Sequence, residues 1–184
     1  IPTMKKSMKF WALLPLLAFL GSCISDEENL DVIYEQDLKK IETYIQNFPD
    51  EYMKKETLEG TGIVLLFTEV VEEGEVAVAG DTLAVDYTGM LLDGTVFDTS
   101  IEQTARDNNL FNESRDYEPY KVILGVSSVI SGWHGALSLM KEGEKATALI
   151  PSAYGYGNQS AGSIPANSVL VFELDLTENR PYQP

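Results

Sequence analysis

The stretch 85–100 reads Val-Asp-Tyr-Thr-Gly-Met-Leu-Leu-Asp-Gly-Thr-Val-Phe-Asp-Thr-Ser. It sets a carboxylate, Asp98, directly beside an aromatic ring, Phe97, soon after an Asp93-Gly94 turn. Further on, Trp133 precedes the single histidine, His134, and Tyr154 and Tyr156 straddle Gly155. A carboxylate, an imidazole and phenols are parts of acid–base and nucleophilic chemistry, but here they do not assemble. No Ser or Cys nucleophile motif lies near His134, so that residue reads as solvent-facing or helix-capping. One Cys and one His supply no donor set for a structural zinc site or a Cys-built metal centre, and a lone Cys forms no intrachain disulfide. Neither metal nor cofactor is expected. Taken singly, Asp98 is a turn or cap residue, and Trp133 and Phe172 are core aromatics.

Motif order changes that reading. Tyr-Thr-Gly-Met-Leu from Tyr87, Asp93-Gly94, Phe97-Asp98, Val-Ile-Ser-Gly-Trp ending at Trp133, Ile-Pro-Ser from Ile150, Tyr156-Gly157, Ile164-Pro165 and Leu-Val-Phe-Glu-Leu from Leu170 follow one another along the chain. As a set they resemble the signature of FKBP-type peptidyl-prolyl cis-trans isomerases, over residues 80–177. The resemblance implies an antiparallel sheet of five or six strands wrapped around a short helix, with the active pocket between them. It places Trp133 on the pocket floor and Tyr87, Phe97, Tyr120 and Phe172 in aromatic walls. Val129 and Ile130 line one side, the Ile130 amide donating to a ligand carbonyl. Tyr156 offers its hydroxyl to a bound carbonyl, Asp98 stands at the rim, and Ile164 lies on a flap. Tyr154 is expected to pack.

The implied chemistry suits these residue types. Rotation about an X-Pro bond needs no nucleophile, metal or proton relay; its barrier of about 18–20 kcal/mol is amide resonance. An apolar aromatic pocket strips the hydration that favours the planar amide and holds the twisted form.

The chain departs from the compact pattern in three places. Residues 99–119 form an insertion beside the expected pocket mouth, read as surface elaboration or as a client-selecting element. Arg106 and Arg115 are both candidates for a rim arginine paired with Asp98. The flap 158–163 is short and lacks an aromatic or His tip, which weighs against tight binding of the macrolide inhibitors that the resemblance adds to proline-containing clients. Ser128 stands where Glu or Gln is common.

The elements that must position these residues are mostly strands. Residues 63–71, 82–91, 95–98, 120–124, 144–150 and 168–177 are rich in branched and aromatic residues or alternate, and are bounded by turn residues. Residues 135–140 read as a short helix closed by Lys141-Glu142-Gly143. The class is α+β: an antiparallel half-barrel wrapped on a short helix, with an N-terminal helical extension. That extension, 30–60, carries Leu30, Ile33, Tyr34, Leu38, Ile41, Tyr44, Ile45 and Phe48 at spacings of three and four, one apolar stripe stopped by Pro49. Packing on its own domain is its default role; self-association through the stripe is the alternative.

Residues 1–22 read as a signal segment: Lys5, Lys6 and Lys9, then an apolar run at 10–20 that is short for a bilayer span. Leu20-Gly21-Ser22-Cys23 resembles a bacterial lipobox, making Cys23 the expected lipid attachment site and the cell envelope, at the outer membrane, the expected location. An acidic tether follows at 23–29. Its Ser25-Asp26-Glu27-Glu28 resembles signals that send some Bacteroidetes lipoproteins to the cell surface; a plain solvated tether is the equal alternative. The isomerase-like domain is expected at 61–179 and a loose tail at 180–184. The net charge of −16 falls further once the three leading lysines are removed, so nucleic-acid phosphates would repel the body. Function therefore divides between an isomerase acting on envelope or exported proteins and a non-catalytic module that holds Pro-containing or unfolded segments.

Overall fold

The computed structural model describes residues 26–182. The expected signal segment and Cys23 lie outside them. The first element, α1 (Asp26–Gln46), is followed by strands β1 (Lys54–Leu58), β2 (Ile63–Glu69), β3 (Thr82–Leu91) and β4 (Val96–Thr99). Next come α2 (Glu102–Asp107), β5 (Tyr120–Ile123), α3 (Ser131–Leu137), β6 (Lys145–Ile150), a 3-10 turn at Ser152–Tyr154, and β7 (Leu170–Arg180). The seven strands form one antiparallel sheet in the order β1-β2-β6-β7-β3-β4, with β5 also on β3.

The free edge of β3 is shared. β5 pairs with Thr82 to Val85, and β4 pairs with Thr88 to Met90. Between them stands Tyr87, opposite the point where the chain leaves the sheet at the end of β4. Ser100 Oγ accepts from the Tyr87 N–H at 2.9 Å, and the Tyr87 carbonyl accepts from Thr99 Oγ1 at 2.8 Å and from the Ser100 N–H at 3.0 Å. The insertion therefore starts beside Tyr87.

Strand alternation divides the sheet into two faces. Ile63, Leu65, Phe67, Leu83, Val85, Ala146, Ala148, Ile150, Leu170, Leu174 and Leu176 point to the concave face and bury α3 through Trp133, Ala136 and Leu137. On the convex face Val64, Leu66, Leu149, Val169 and Val171 form a second apolar patch, covered by Ile41, Tyr44, Ile45 and Phe48. The N-terminal stripe thus packs on its own domain.

Four expectations are corrected. The helical extension stops at Gln46, and Lys54–Leu58 are a strand, so the sheet has one strand more than expected and the domain begins before residue 61. Lys-Lys-Glu-Thr-Leu has no strand composition; it pairs because β2 offers an open edge, and its charges suit an edge strand. The acidic tether is helical from Asp26. The short helix starts at Ser131, not 135, because its glycines allow close packing: a Cβ on Gly132 would stand 2.4 Å from Ile150 Cγ2. The tail is tied as far as Tyr182, whose N–H donates to Asp81 Oδ1 at 3.0 Å.

Candidate active site

Between the concave face and α3 lies a cavity of about 710 Å³, bounded by Tyr87, Phe97, Asp98, Tyr120, Val129, Ile130, Trp133, Tyr156, Ile164 and Phe172, with Ser128, Ala161, Gly162 and Ser163. Every residue read from the sequence as a pocket residue touches this one space. Ser128 and the flap residues Ala161, Gly162 and Ser163 complete it.

Trp133 lies at the bottom, 5% exposed. Three rings stand almost perpendicular to its indole: Tyr87 at 5.0 Å and 81°, Phe172 at 5.4 Å and 86°, and Tyr120 at 6.1 Å and 83°. Phe97 meets Phe172 edge-on at 5.6 Å. Edge-to-face packing of this kind adds about 0.5–1.5 kcal/mol per pair beyond area burial and fixes ring orientation.

Phe97 and Asp98 are consecutive, so a regular strand would send them to opposite faces. A bulge prevents this. Gly89 pairs with Asp98 and Met90 with Val96, leaving Phe97 as the extra residue, and both side chains reach the cavity. Gly89 makes room: a Cβ there would stand 2.6 Å from the Phe97 ring and 2.7 Å from Phe172. A glycine in the interior of strand β3 is the signal that could have found it.

At the rim Asp98, Tyr87 and Arg115 close a triangle. Tyr87 Oη donates to Asp98 Oδ2 at 2.6 Å, Arg115 Nη1 to Asp98 Oδ1 at 2.5 Å, and Arg115 Nη2 to Tyr87 Oη at 3.0 Å. Burial, followed by the bond to and charge of Asp98, raises the Tyr87 phenol far above its ordinary value, with Arg115 partly opposing. Partial burial lowers the Arg115 pKa, but bonds to Asp98 and Tyr87 outweigh it and the net shift is upward. The open choice between arginines resolves to Arg115. Arg106 is bound to Glu102 at 2.6 Å and covers the Phe111 ring at 3.4 Å.

The polar groups facing the space are few. Ile130 precedes α3 in extended conformation, and its N–H donates to no acceptor among the described residues. Tyr156 stands at the mouth, 41% exposed. The flap is a tight turn in which Ala161 and Ile164 exchange both backbone hydrogen bonds at 2.9 Å.

Comparison with known proteins agrees with this geometry. The sequence model of the family described as "FKBP-type peptidyl-prolyl cis-trans isomerase" matches residues 73–177. The chain belongs to this family. An FKBP-type 22 kDa peptidyl-prolyl cis-trans isomerase of Escherichia coli is 36% identical over 154 residues, 82% of this chain and 67% of that protein. An FK506-binding protein of Neisseria meningitidis serogroup C is 40% identical over 104 residues, 56% of this chain and 84% of that one. Among solved structures, FkpA from Escherichia coli aligns with a TM-score of 0.59 at 30% identity, covering 84% of this chain; the chain spans 64% of FkpA's length. A peptidyl-prolyl cis-trans isomerase from Pseudomonas syringae aligns with a TM-score of 0.56 at 29% identity, over 80% of this chain and 96% of that one.

Within this FKBP-type domain two sequence readings need adjustment. His134 is half-buried, and its ring binds the preceding loop rather than capping the helix. Its Nδ1 accepts from the Gly125 N–H at 3.0 Å, so the neutral ring carries its proton on Nε2 and donates to the Ser127 carbonyl at 3.0 Å. It thereby fastens the loop that leads into Ser128, Val129 and Ile130. Residues 99–119 are also more than surface decoration, since Arg115 returns from them to the rim. Tyr154 packs against the concave core, as expected.

Proposed function

We propose that this cavity takes an X-Pro segment of a polypeptide client and accelerates rotation about its imide bond. Tyr87, Phe97, Asp98, Trp133, Tyr156 and Phe172 contact the twisting unit, and Tyr120, Val129, Ile130 and Ile164 hold the flanking chain. The observation that carries this reading is the convergence of those rings on one open, apolar-floored space with few polar groups at its edge.

The barrier of about 18–20 kcal/mol is the resonance lost when the C–N bond twists. Water stabilises the planar, polar amide, so a proline ring seated on Trp133 leaves that stabilisation behind. The twisted state has a pyramidal nitrogen and a carbonyl turned out of plane. The Ile130 N–H and the Tyr156 hydroxyl orient the client backbone, while Asp98, held by Tyr87 and Arg115, sits where the carbonyl swings. No covalent bond forms or breaks, so all the acceleration comes from binding the twisted form more tightly than either planar one.

Cis-to-trans relaxation of a short X-Pro peptide, followed with the wild-type protein and with Trp133→Ala, Asp98→Ala and Tyr156→Phe, tests this. We expect acceleration by the wild type and losses of about tenfold or more for Trp133→Ala, the change that removes the floor. No acceleration by the wild type would defeat the proposal. Suppression of client aggregation without peptide turnover would favour the holding module instead.

The place of action follows from residues 5–23: a basic start, an apolar run and Leu-Gly-Ser-Cys support lipidation of Cys23 and anchoring at the outer membrane, on its periplasmic or outer face. Several acyl chains, each methylene contributing about 0.8 kcal/mol, hold such a body firmly. Mass spectrometry of the Cys23 peptide from membranes should find acyl adducts, and Cys23→Ala should move the protein to the soluble fraction. An unmodified Cys23 in the membrane fraction would sink this part. The relatives named FK506-binding protein make a macrolide a reasonable competitor, one weakened by the short flap.

A further inference from the structure

α1 carries one carboxylate where its apolar stripe faces the sheet. Asp37 is fully buried, 0% exposed. Its Oδ2 accepts from the Ser152 N–H at 2.9 Å and from Ser152 Oγ at 2.6 Å, across 115 positions of sequence; its Oδ1 accepts from Lys40 Nζ at 2.9 Å. A buried carboxylate is costly unless its lone pairs are filled, so the helix does not place one there for packing alone.

Ser152 is the root of the turn that presents Tyr156. Its carbonyl accepts from the Gly155 N–H at 3.0 Å and the Gly157 N–H at 2.8 Å, the two amides flanking Tyr156. The Gly157 carbonyl in turn accepts from the Asn167 N–H at 2.8 Å. α1 is seated closely at the same point: a Cβ on Gly62 would stand 2.4 Å from Leu38 Cδ2, 3.0 Å from Tyr34 Oη and 3.5 Å from Pro151 Cγ.

We propose that Asp37 is a positioning residue for the active site, acting through Ser152 to fix the turn on which Tyr156 stands. The N-terminal helix is then part of the site's scaffold as well as the cover of the convex face. This rests on the isomerase reading for its effect on rate, though not for its effect on the turn.

Two measurements on the full chain test it. Native-state hydrogen exchange should show the Gly155 and Gly157 amides exchanging at least tenfold faster in Asp37→Ala, with strand β7 unchanged relative to a control, Ile41→Ala, which loosens α1 elsewhere. In peptide relaxation, Asp37→Ala should lower kcat/KM about fivefold, the scale of one lost orienting hydrogen bond. Asp37→Asn, which keeps an acceptor oxygen for Ser152, should stay within about twofold of wild type on the same scale. In a Tyr156→Phe background the Asp37→Ala loss should shrink to less than about twofold, since both act on one interaction. Ser152→Ala serves the same cycle where Asp37→Ala is too unstable to purify. Equal exchange changes in Asp37→Ala and Ile41→Ala, or losses additive with Tyr156→Phe, would overturn the proposal. An inactive wild type whose Gly155 and Gly157 amides still respond selectively would sink the isomerase reading and leave the latch standing.

Discussion

Arg115 and Asp98 meet at 2.5 Å although 17 positions separate them, and the guanidinium arrives from the insertion rather than from the sheet. Its second amino group holds Tyr87 at 3.0 Å, so one planar fork orients both partners. Arg115→Ala should lower kcat/KM for an X-Pro peptide by about three- to tenfold, with little stability lost, because exposed pairs contribute roughly 0–1 kcal/mol. Arg115→Lys should recover only part, since an ammonium cannot serve both groups in the same geometry. Peptide relaxation beside thermal melts separates the two effects; a full recovery with Lys would show that charge alone matters.

The raised Tyr87 phenol gives a pH dependence of definite sign. The folded state keeps this proton more tightly than the unfolded chain does. The stabilisation is therefore complete below the ordinary tyrosine pKa of about 10 and is lost as pH rises from there toward the folded value. Melting temperatures measured from pH 8 upward should fall more steeply above about pH 10 for the wild type than for Tyr87→Phe. Parallel curves would show that Tyr87 ionises as in the unfolded chain.

Strand β3 was legible because Leu83, Val85 and Tyr87 alternate with Ala84, Asp86 and Thr88, a period that only a strand satisfies. The lining residues were legible because their motifs keep family order. What was hidden depends on partners distant in sequence. Lys54–Leu58 carries helix-forming charges and becomes a strand only because β2 has a free edge. The common facing of Phe97 and Asp98 breaks alternation and needs the bulge opposite Gly89. The buried Asp37 went unread: nothing in the local pattern of the α1 stripe points to its partner Ser152, 115 positions away. The choice of Arg115 over Arg106 turned on the path of the insertion, for which spacing holds no information.

Gly89→Ala should be among the most damaging small changes in the chain. The new methyl would lie 2.6 Å from Phe97 and 2.7 Å from Phe172, so both rings must move into the cavity or the bulge must open. Overpacking of this kind costs about 1–3 kcal/mol. With about 2–4 °C per kcal/mol for a chain this size, the melting point should drop by several degrees. KM should rise, because the displaced rings occupy client space. A variant with unchanged KM would mean that the strain relaxes outward, away from the pocket.

The loop before α3 offers a finer dissection, because each nitrogen of His134 serves one backbone group. Asn can place an oxygen near the Nδ1 position and keep the Gly125 N–H satisfied; Gln can reach the Nε2 position and keep the bond to the Ser127 carbonyl. His134→Phe keeps ring volume and loses both bonds. The backbone N–H of Gly125 and carbonyl of Ser127 are then left to water, and the loop leading to Val129 and Ile130 is freed. We expect His134→Phe to raise KM about fivefold with kcat little changed, since the loop holds flanking client chain rather than the twisting bond. His134→Asn and His134→Gln should each fall between Phe and wild type. A fall in kcat at constant KM would instead place the loop's contribution in the twisted state, and assign the Ile130 amide to the carbonyl of the rotating bond itself.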